Sequence, residues 1–550
     1  MGESWMGKAC KLARALLAVG LLAAAGLTGA TARAQNADSL DELIRKYPLV
    51  KQEDRQLLRV SLADVLRLAL AGNHAVQAAT ASLAASGQGL VAAQERLQPT
   101  LSSNIQYGHQ VSGGLFFNAP SGGPSPFVSV SGLDSTTFTT SVSKQDLNGV
   151  TYSLNYQEVR NQGQVYSIAN EGDTPTTTIP LNSPKDASTT TGQVTIPLAQ
   201  NAGREFNSIP VRQAEVSEQL ARIGILSQEV SVLTTAAQTY WNLVGQLELV
   251  GVAQQAVQLD QQLVGENQVK LQAGVLSPAD VLASQTQLAR DQLSLVQARL
   301  GVRTFEDQVR AALGMENYAY GFQPTDTPAV RDEKLNPQQQ LEEVYRFNPT
   351  LANLRANLES NSYNLLSAQN SAKPQLNANL SYVFNGYSKE PFVGPQYYLQ
   401  SQTQGYVAAL TYSVPLFDKV GPANIENQVL QRQALDLQLK DTQTQLGIQL
   451  QTALRNLRSA QEQVTTARVA VQLAQVQLQN EIEKLRQGRS TSFLVAQLQQ
   501  QLSQAQQQEI AARVQYELND LQRIVLTGEI YPRYNLNSHA GPLPQPPPGP

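Results

Sequence analysis

The sequence has 550 residues, with 40 Lys and Arg against 44 Asp and Glu, a net charge of -4 and 15% charged residues. This balance supplies no basic stripe for nucleic acid, and so low a charged fraction is unusual for a soluble helical protein. The one cysteine is Cys10, so disulfides and thiolate metal sites are excluded from the rest of the chain.

Lys8, Lys11 and Arg14 precede an apolar run from Ala15 to Leu27, and Ala32-Arg33-Ala34 follows it. This reads as a secretory signal peptide over residues 1–34, cut before Gln35. The run falls short of the roughly 20 residues that a bilayer helix needs. Cys10 lies before the run, where a lipid-anchor cysteine would follow it. Residues 1–34 hold four Lys or Arg and one Glu, so their removal takes the charge from -4 to -7. No later apolar run is long enough to span a bilayer as a helix. A mature chain that crosses a membrane must therefore do so as a β-barrel.

Residues 35–60 read as an N-terminal segment, periplasmic if the chain is retained behind an outer membrane, and 62–97 as a helix. Leu101, Ser103, Ile105 and Tyr107 mark a strand. Val194, Ile196 and Leu198 mark another, and Val150, Tyr152, Leu154 and Tyr156 an extra candidate between them. Gly, Pro, Ser and Thr crowd residues 112–190, as expected of a long surface loop with its own hairpin. Residues 210–272 then predict a helix of roughly 95 Å, with proline in its first turn and Gly274 at its far end. A shorter helix returns over 278–313, and 317–337 read as a linker.

A second series follows. Residues 338–372 predict a helix. Leu376, Ala378, Leu380, Tyr382 and Phe384 alternate with Asn377, Asn379, Ser381 and Val383. Tyr406, Ala408, Leu410, Tyr412 and Val414 alternate with Val407, Ala409, Thr411 and Ser413. Each set spans nine residues, within reach of the roughly 9–11 of a membrane strand. Leu380 and Leu410 are expected to face lipid, and Asn379 and Ala409 the lumen; a half-buried soluble sheet gives the same alternation. Residues 422–487 form a second long helix and 493–526 a returning one. Residues 531–550 make a proline-rich tail, expected to be disordered. From Leu450 to Leu485 apolar residues recur in a heptad pattern. A neighbouring stripe of Val469, Leu473 and Val476 lets that helix touch a partner on each side, although a bundle core gives a similar pattern.

The two series echo each other in order. Lys270-Leu271-Gln272-Ala273-Gly274 recurs as Lys484-Leu485-Arg486-Gln487-Gly488, and Asn73-His74 as Asn348-Pro349. Pro99 matches Pro374, and Pro197 matches Pro415, as strand–helix junctions. Residues 61–316 and 338–530 thus read as two copies of one unit, neither of which closes a core alone. The offset between copies falls from 275 at Pro374 to 218 at Pro415, so the first copy holds 57 extra residues.

With these repeats, the chain resembles the TolC-like outer membrane efflux proteins. Leu62-Ala63-Asp64-Val65-Leu66 through Asn73 is similar to their opening helix, and Val414-Pro415-Leu416-Phe417-Asp418 to their strand–helix junction. Gly274-Val275-Leu276-Ser277-Pro278-Ala279-Asp280 and Gly488-Arg489-Ser490-Thr491-Ser492 resemble their two helix-tip turns. The resemblance implies a mainly α chain with membrane β-structure. It also implies a trimer with a twelve-stranded outer-membrane barrel continued by a twelve-helix periplasmic barrel. The function implied is the exit duct of a tripartite efflux or type I secretion system, passive, with a periplasmic adaptor, an inner-membrane pump and outer-membrane lipid as partners. The pump class (RND, ABC or MFS) and the cargo stay open. Adaptor docking falls on Gly274, Val275, Leu276, Ser277, Gly488, Arg489, Ser490 and Thr491, and the gate candidates are Asp280 and Arg489. Leu494 and Gln497 stand where family members can carry acids, a departure that bears on the gate.

No catalytic chemistry is expected. His74, His109 and His539 are scattered, and no H-E-x-x-H, Walker A loop or G-x-S-x-G elbow appears. No cofactor or metal is implied, and Asp64 reads as part of a solvated helix face. The alternatives are a secreted or periplasmic coiled-coil scaffold and a periplasmic adaptor; the latter would carry a lipoyl-like β-domain, and none is visible.

Overall fold

The structure, a computed structural model, describes residues 48–52, 55–118, 125–168, 177–180, 186–318, 320–331, 335–388 and 403–541. The signal peptide, parts of the 112–190 segment and residues 542–550 lie outside the described residues.

Strands β1 (Leu49–Gln52) and β2 (Arg55–Val60) lead into helices α1 (Leu62–Gly72) and α2 (His74–Glu95). Strands β3 (Thr100–Asn118), β4 (Ser125–Gln145), β5 (Thr151–Ile168), β6 (Thr177–Pro180) and β7 (Asp186–Pro197) follow. Next come the short α3 (Arg204–Asn207), the long α4 (Ile209–Gln272), α5 (Pro278–Leu313) and β8 (Tyr320–Pro324). The chain continues through α6 (Pro337–Phe347), α7 (Pro349–Ser371), β9 (Gln375–Ser388) and β10 (Thr403–Ser413). It ends with α8 (Val420–Arg486), α9 (Ser492–Thr527) and α10 (Ile530–Arg533). No helix among the described residues is long and apolar enough to cross a membrane.

Each opening helix expected from the sequence is in fact two. Asn73 separates α1 from α2: its amide donates to the Ala312 carbonyl at 2.9 Å while its Oδ1 accepts from Ala75 N. Asn348 separates α6 from α7, its Oδ1 accepting from the amides of Thr350 and Leu351 ahead of Pro349. Asparagine satisfies the amide groups that a new helix start leaves open, so the break costs little. Asp64 is more than a solvated surface acid. It closes a capping box with Ser61 at the start of α1 and pairs with Arg67.

The chain forms two compact units. One takes Met1–Gln77, Val232–Val330 and Ala460–Leu518. Here β2 pairs parallel with β8 and antiparallel with β1. Tyr240, 1% exposed, donates its hydroxyl to Asp326 at 2.7 Å, and the same carboxylate accepts from Leu62 N. Leu263, Leu478, Leu485, Val495 and Leu502 form one apolar core joining α4, α8 and α9.

The other unit takes Ala78–Ser231, Arg331–Ser459 and Asn519–Pro550. Its sheet runs in the order β10-β9-β7-β5-β4-β3, with β6 beside β5, and every pairing is antiparallel. The twelve-stranded expectation needed four strands per chain. Among the described residues this sheet has six long ones in a single chain, two more than that expectation takes. The region expected to be a surface loop is mostly strand: β3, β4 and β5 are 19, 21 and 18 residues long. The β4–β5 turn is seated beside the end of β7. Asn148 O accepts from Gly203 N at 3.1 Å, and Gln145 Nε2 donates to Asn207 Oδ1 at 3.3 Å. Gly149, at φ +90°, leaves no room for a Cβ against the Asn201 carbonyl oxygen. The hairpin therefore reaches the strand–helix junction as the neighbouring strands do.

The tail also differs from expectation, since residues 530–541 pack. Glu229 on α4, fully buried, accepts from Tyr531 OH at 2.9 Å, Ser538 Oγ at 2.5 Å and His539 N at 2.8 Å. The buried Arg523 binds Asp520 at 3.0 Å and Glu529 at 2.8 Å in the same unit, which supplies the pairing that a buried charge needs.

Candidate functional site

Two places in the chain stand out, a wall of strands and a tip of helix ends. The wall is the large sheet. Residues directly opposite in antiparallel strands share a face, so the pairing register fixes both faces. Tyr382 lies opposite Tyr406 and Gly192, which places Leu380, Ala408 and Val194 on one face and Asn379, Ala409 and Thr195 on the other. Carried across β5, β4 and β3, the first face holds Leu154, Val142, Leu101, Ile105 and Tyr107. The second holds Ser153, Ser141, Ser102, Asn104 and Gln106.

Part of the first face is open to its surroundings, with Leu410 68% exposed and Tyr406 83%, whereas Glu158 and Ser188 on the same face are 5% and 2% exposed. The second face is bound into ladders. Thr195 Oγ1 donates to Asn379 Oδ1 at 3.0 Å, Asn379 Nδ2 donates to Thr411 Oγ1 at 3.3 Å, and Ser102 and Ser141 hydroxyls meet at 2.6 Å. Strands β3 and β10 are the two edges, each paired on one side only. Pro99 and Pro374 precede β3 and β9. Pro197 ends β7, and Pro415 follows β10 into a junction where Phe417 is 96% exposed at φ +60°.

The tip is made by two turns. Gly274, at φ +70°, donates to Leu271 O while Val275 N donates to Lys270 O, both at 2.9 Å. Gly488, at φ +71°, repeats the pattern, its N–H going to Leu485 O and that of Arg489 to Lys484 O. This pair of bonds is the glycine-ended helix stop that the sequence suggested. Both turns border one groove of about 1510 Å³, lined among others by Val275, Leu276, Asp280, Gly488, Ser490 and Thr491. Val275 is 75% exposed while Leu276 is half-buried.

Asp280 and Arg489 are not brought together within the chain. The Asp280 carboxylate accepts from Ser277 Oγ at 2.7 Å and from Ser277 N at 3.2 Å, closing a capping box at the start of α5. Among the described residues Arg489 forms no ion pair. Three groups at the tip had no signal in the sequence beyond their residue type. Glu481 accepts from Lys484 Nζ at 2.8 Å and Ser490 Oγ at 2.6 Å, and these bonds hold its carboxyl below the usual range. Ser492 Oγ donates to the buried Asn267 at 2.6 Å. Asp260 is buried, and desolvation together with the neighbouring Asp291 pushes its pKa up to about 7. No group of His, Asp or Glu suited to a metal ion occurs among the described residues.

With both sheet faces, both hairpins and the split opening helices in view, solved structures can be compared. The chain is similar to the outer-membrane channel OprN, at 14% identity and TM-score 0.59, over 85% of this chain and 89% of that one. It is similar to the Campylobacter jejuni CmeC outer membrane channel, at 13% identity and TM-score 0.59, over 86% and 90%. The open state of the Neisseria gonorrhoeae MtrE outer membrane channel matches at 13% identity and TM-score 0.55, over 85% and 88%. The fold is that of the TolC-like outer-membrane channels. No protein-family model and no curated protein matches the sequence. Within the channel fold, the wide sheet sets this chain apart from the four-strand expectation.

Proposed function

We propose that this chain is one protomer of an outer-membrane exit duct, passing solute passively from a periplasmic pump assembly to the exterior. The observation that carries this reading is the sheet, which has one face with an exposed apolar stretch from Leu101 through Val142, Leu154 and Leu380 to Leu410, one polar face and two unpaired edges. An apolar face suits lipid, a polar face suits water, and an unpaired edge has no place in hydrocarbon. One copy leaves β3 and β10 open. Six antiparallel strands make these edges run in opposite directions, so the β10 of one copy meets the β3 of the next with antiparallel pairing. Three copies, arranged as two-fold duplicated units, then close a barrel of eighteen strands rather than twelve. That size leaves an aqueous channel.

Exposed apolar stripes support association of copies along the helices as well. Leu293, Val296 and Leu300 on α5, and Val469, Leu473 and Val476 on α8, are all exposed in the single chain. In this reading Gly274, Val275, Leu276 and Ser277, with Gly488, Arg489, Ser490 and Thr491, form the surface for a periplasmic adaptor of an efflux or type I secretion pump. Arg489, which forms no ion pair among the described residues, is available to an acid of a neighbouring copy, which keeps it and Asp280 as gate candidates. The protein resides in the outer membrane with a periplasmic extension and needs no cofactor or catalysis.

The test is fractionation followed by electrophoresis. A trimer recovered from outer membranes, which dissociates on boiling, is the expected result. A soluble monomer with intact helices would overturn the proposal.

A further inference from the structure

The large sheet separates charge from lumen more completely than composition requires. On its described strands the ionisable side chains His109, Asp134, Lys144, Glu158 and Arg160 all share the apolar face. Asp134 binds His109 and Tyr107 there at 2.7 and 2.9 Å, and Glu158 accepts from Tyr156 at 2.9 Å. The polar face carries none. Its positions on β3 through β10 are Ser, Thr, Asn and Gln with a few small apolar residues, across every strand whose side chains are described. The whole chain is 15% charged, so a charge-free face of this extent is not inherited from composition.

Pores that discriminate by charge place rings of acidic or basic side chains along the path. Symmetry would turn even one such residue per chain into a ring. On its described positions this wall offers instead hydroxyl and carboxamide groups, able to donate and accept, on every strand, interrupted by Val159, Ala187, Val383, Gly405, Val407 and Ala409 among others. A charged solute finds no counter-charge on it, whereas a solute covered in hydroxyls can exchange its hydrogen bonds to water for bonds to the wall on each strand. We propose that the barrel wall is a track for an uncharged, hydroxyl-rich solute, a neutral glycan chain. This rests on the exit-duct reading above.

Cys10 is the only native thiol, so in a Cys10→Ser background a single engineered cysteine reports alone. Asn379→Cys and Thr411→Cys probe the wall, and Leu380→Cys probes the opposite face. In intact cells, cationic and anionic thiosulfonates of equal size should label Asn379→Cys and Thr411→Cys. The ratio of the two rates should lie within about twofold of the ratio for free cysteine, while Leu380→Cys stays unlabelled. Adding Thr195→Asp opposite Asn379→Cys should shift that ratio tenfold or more, since local potentials reach several kT. Maltoheptaose added outside should slow labelling at concentrations where its sulfated counterpart does not. A parent ratio already shifted tenfold, or equal protection by the sulfated sugar, overturns the proposal and leaves the duct intact. Labelling of Leu380→Cys with none at Asn379→Cys or Thr411→Cys overturns the face assignment, and the exit-duct reading with it.

Discussion

At Gly274 and at Gly488 the chain leaves a long helix through the same left-handed residue and the same two backbone hydrogen bonds, yet the hairpins around these turns are held by opposite electrostatics. The first turn relies on a capping box between neighbours, Ser277 and Asp280. Deeper in that hairpin Asp260 faces Asp291, a like-charge pair with one carboxyl pushed up to about 7. The second turn is tied back to its own helix through Ser490 and Glu481, and to α4 through Ser492 and Asn267. Glu481 sits beside Lys484, and its carboxyl is held low. Backbone geometry at a helix end is nearly obligatory, so it repeats; the side chains that fix the turn are not, so they diverge.

The contrast predicts opposite pH responses, and the first hairpin should give the largest effect. The folded pKa of Asp260 lies above its unfolded value near 3.8. Its contribution is fully present below 3.8 and is lost as pH rises through about 7. Asp260→Asn should therefore stabilise the first hairpin on the order of 2 kcal/mol at pH 8, with no gain near pH 3.5. Hydrogen exchange across 255–295 measures this, and a gain independent of pH would show that the pair is not the cause.

Next in size are the glycines. A Cβ at Gly274 or Gly488 meets nothing within 4 Å, so substitution strains only the backbone. Valine should cost about 1–2 kcal/mol at either turn and asparagine clearly less, read as the rate of tryptic cleavage at the tips. Equal tolerance of both residues would remove the left-handed requirement from the argument.

Glu481→Gln should loosen the second turn, since the bonds from Lys484 and Ser490 lose their charged acceptor. The loss should be largest above pH 4.5 and fade as pH falls through the lowered folded pKa of Glu481, the reverse of Asp260. Ser277→Ala should fray the first turn of α5 by about 1 kcal/mol at any pH. If exchange at 277–281 is unchanged, the capping box does not anchor that turn.

The smallest effect within one chain is expected at Arg489. With no ion pair among the described residues, Arg489→Ala should leave the stability of the second turn within about 0.5 kcal/mol of the parent. If instead the monomer's tip loosens measurably, Arg489 acts within its own chain and leaves the gate reading.

Much of this architecture was legible because it is written locally. The bounds of α5, residues 278–313, are those expected, since Ser277, Pro278 and Asp280 start it and Gly314 in the left-handed region ends it. The facing of Leu380 and Leu410 against Asn379 and Ala409 followed from a period of two. Strand β4 was missed because its hydroxyl-rich sequence, Ser135-Thr136-Thr137-Phe138-Thr139-Thr140-Ser141, resembles a loop by polarity, although threonine favours strands. The pairing of β2 with β8 was missed because its partners lie more than 260 residues apart, as Val60 and Pro324 do.

What the sequence determined by itself was the chemistry of short spans: where helices stop, which strand face is apolar, and that two helical hairpins share one turn. Only the tertiary structure decided how many strands stand side by side, that Glu229 anchors a segment 302 to 310 residues away, and that burial beside Asp291 keeps Asp260 protonated far above the ordinary range. The division has one cause. Turn geometry and pleat alternation are settled by atoms a few bonds apart, whereas strand neighbours, buried pairs and shifted pKa values depend on which distant segments the collapsed chain brings together.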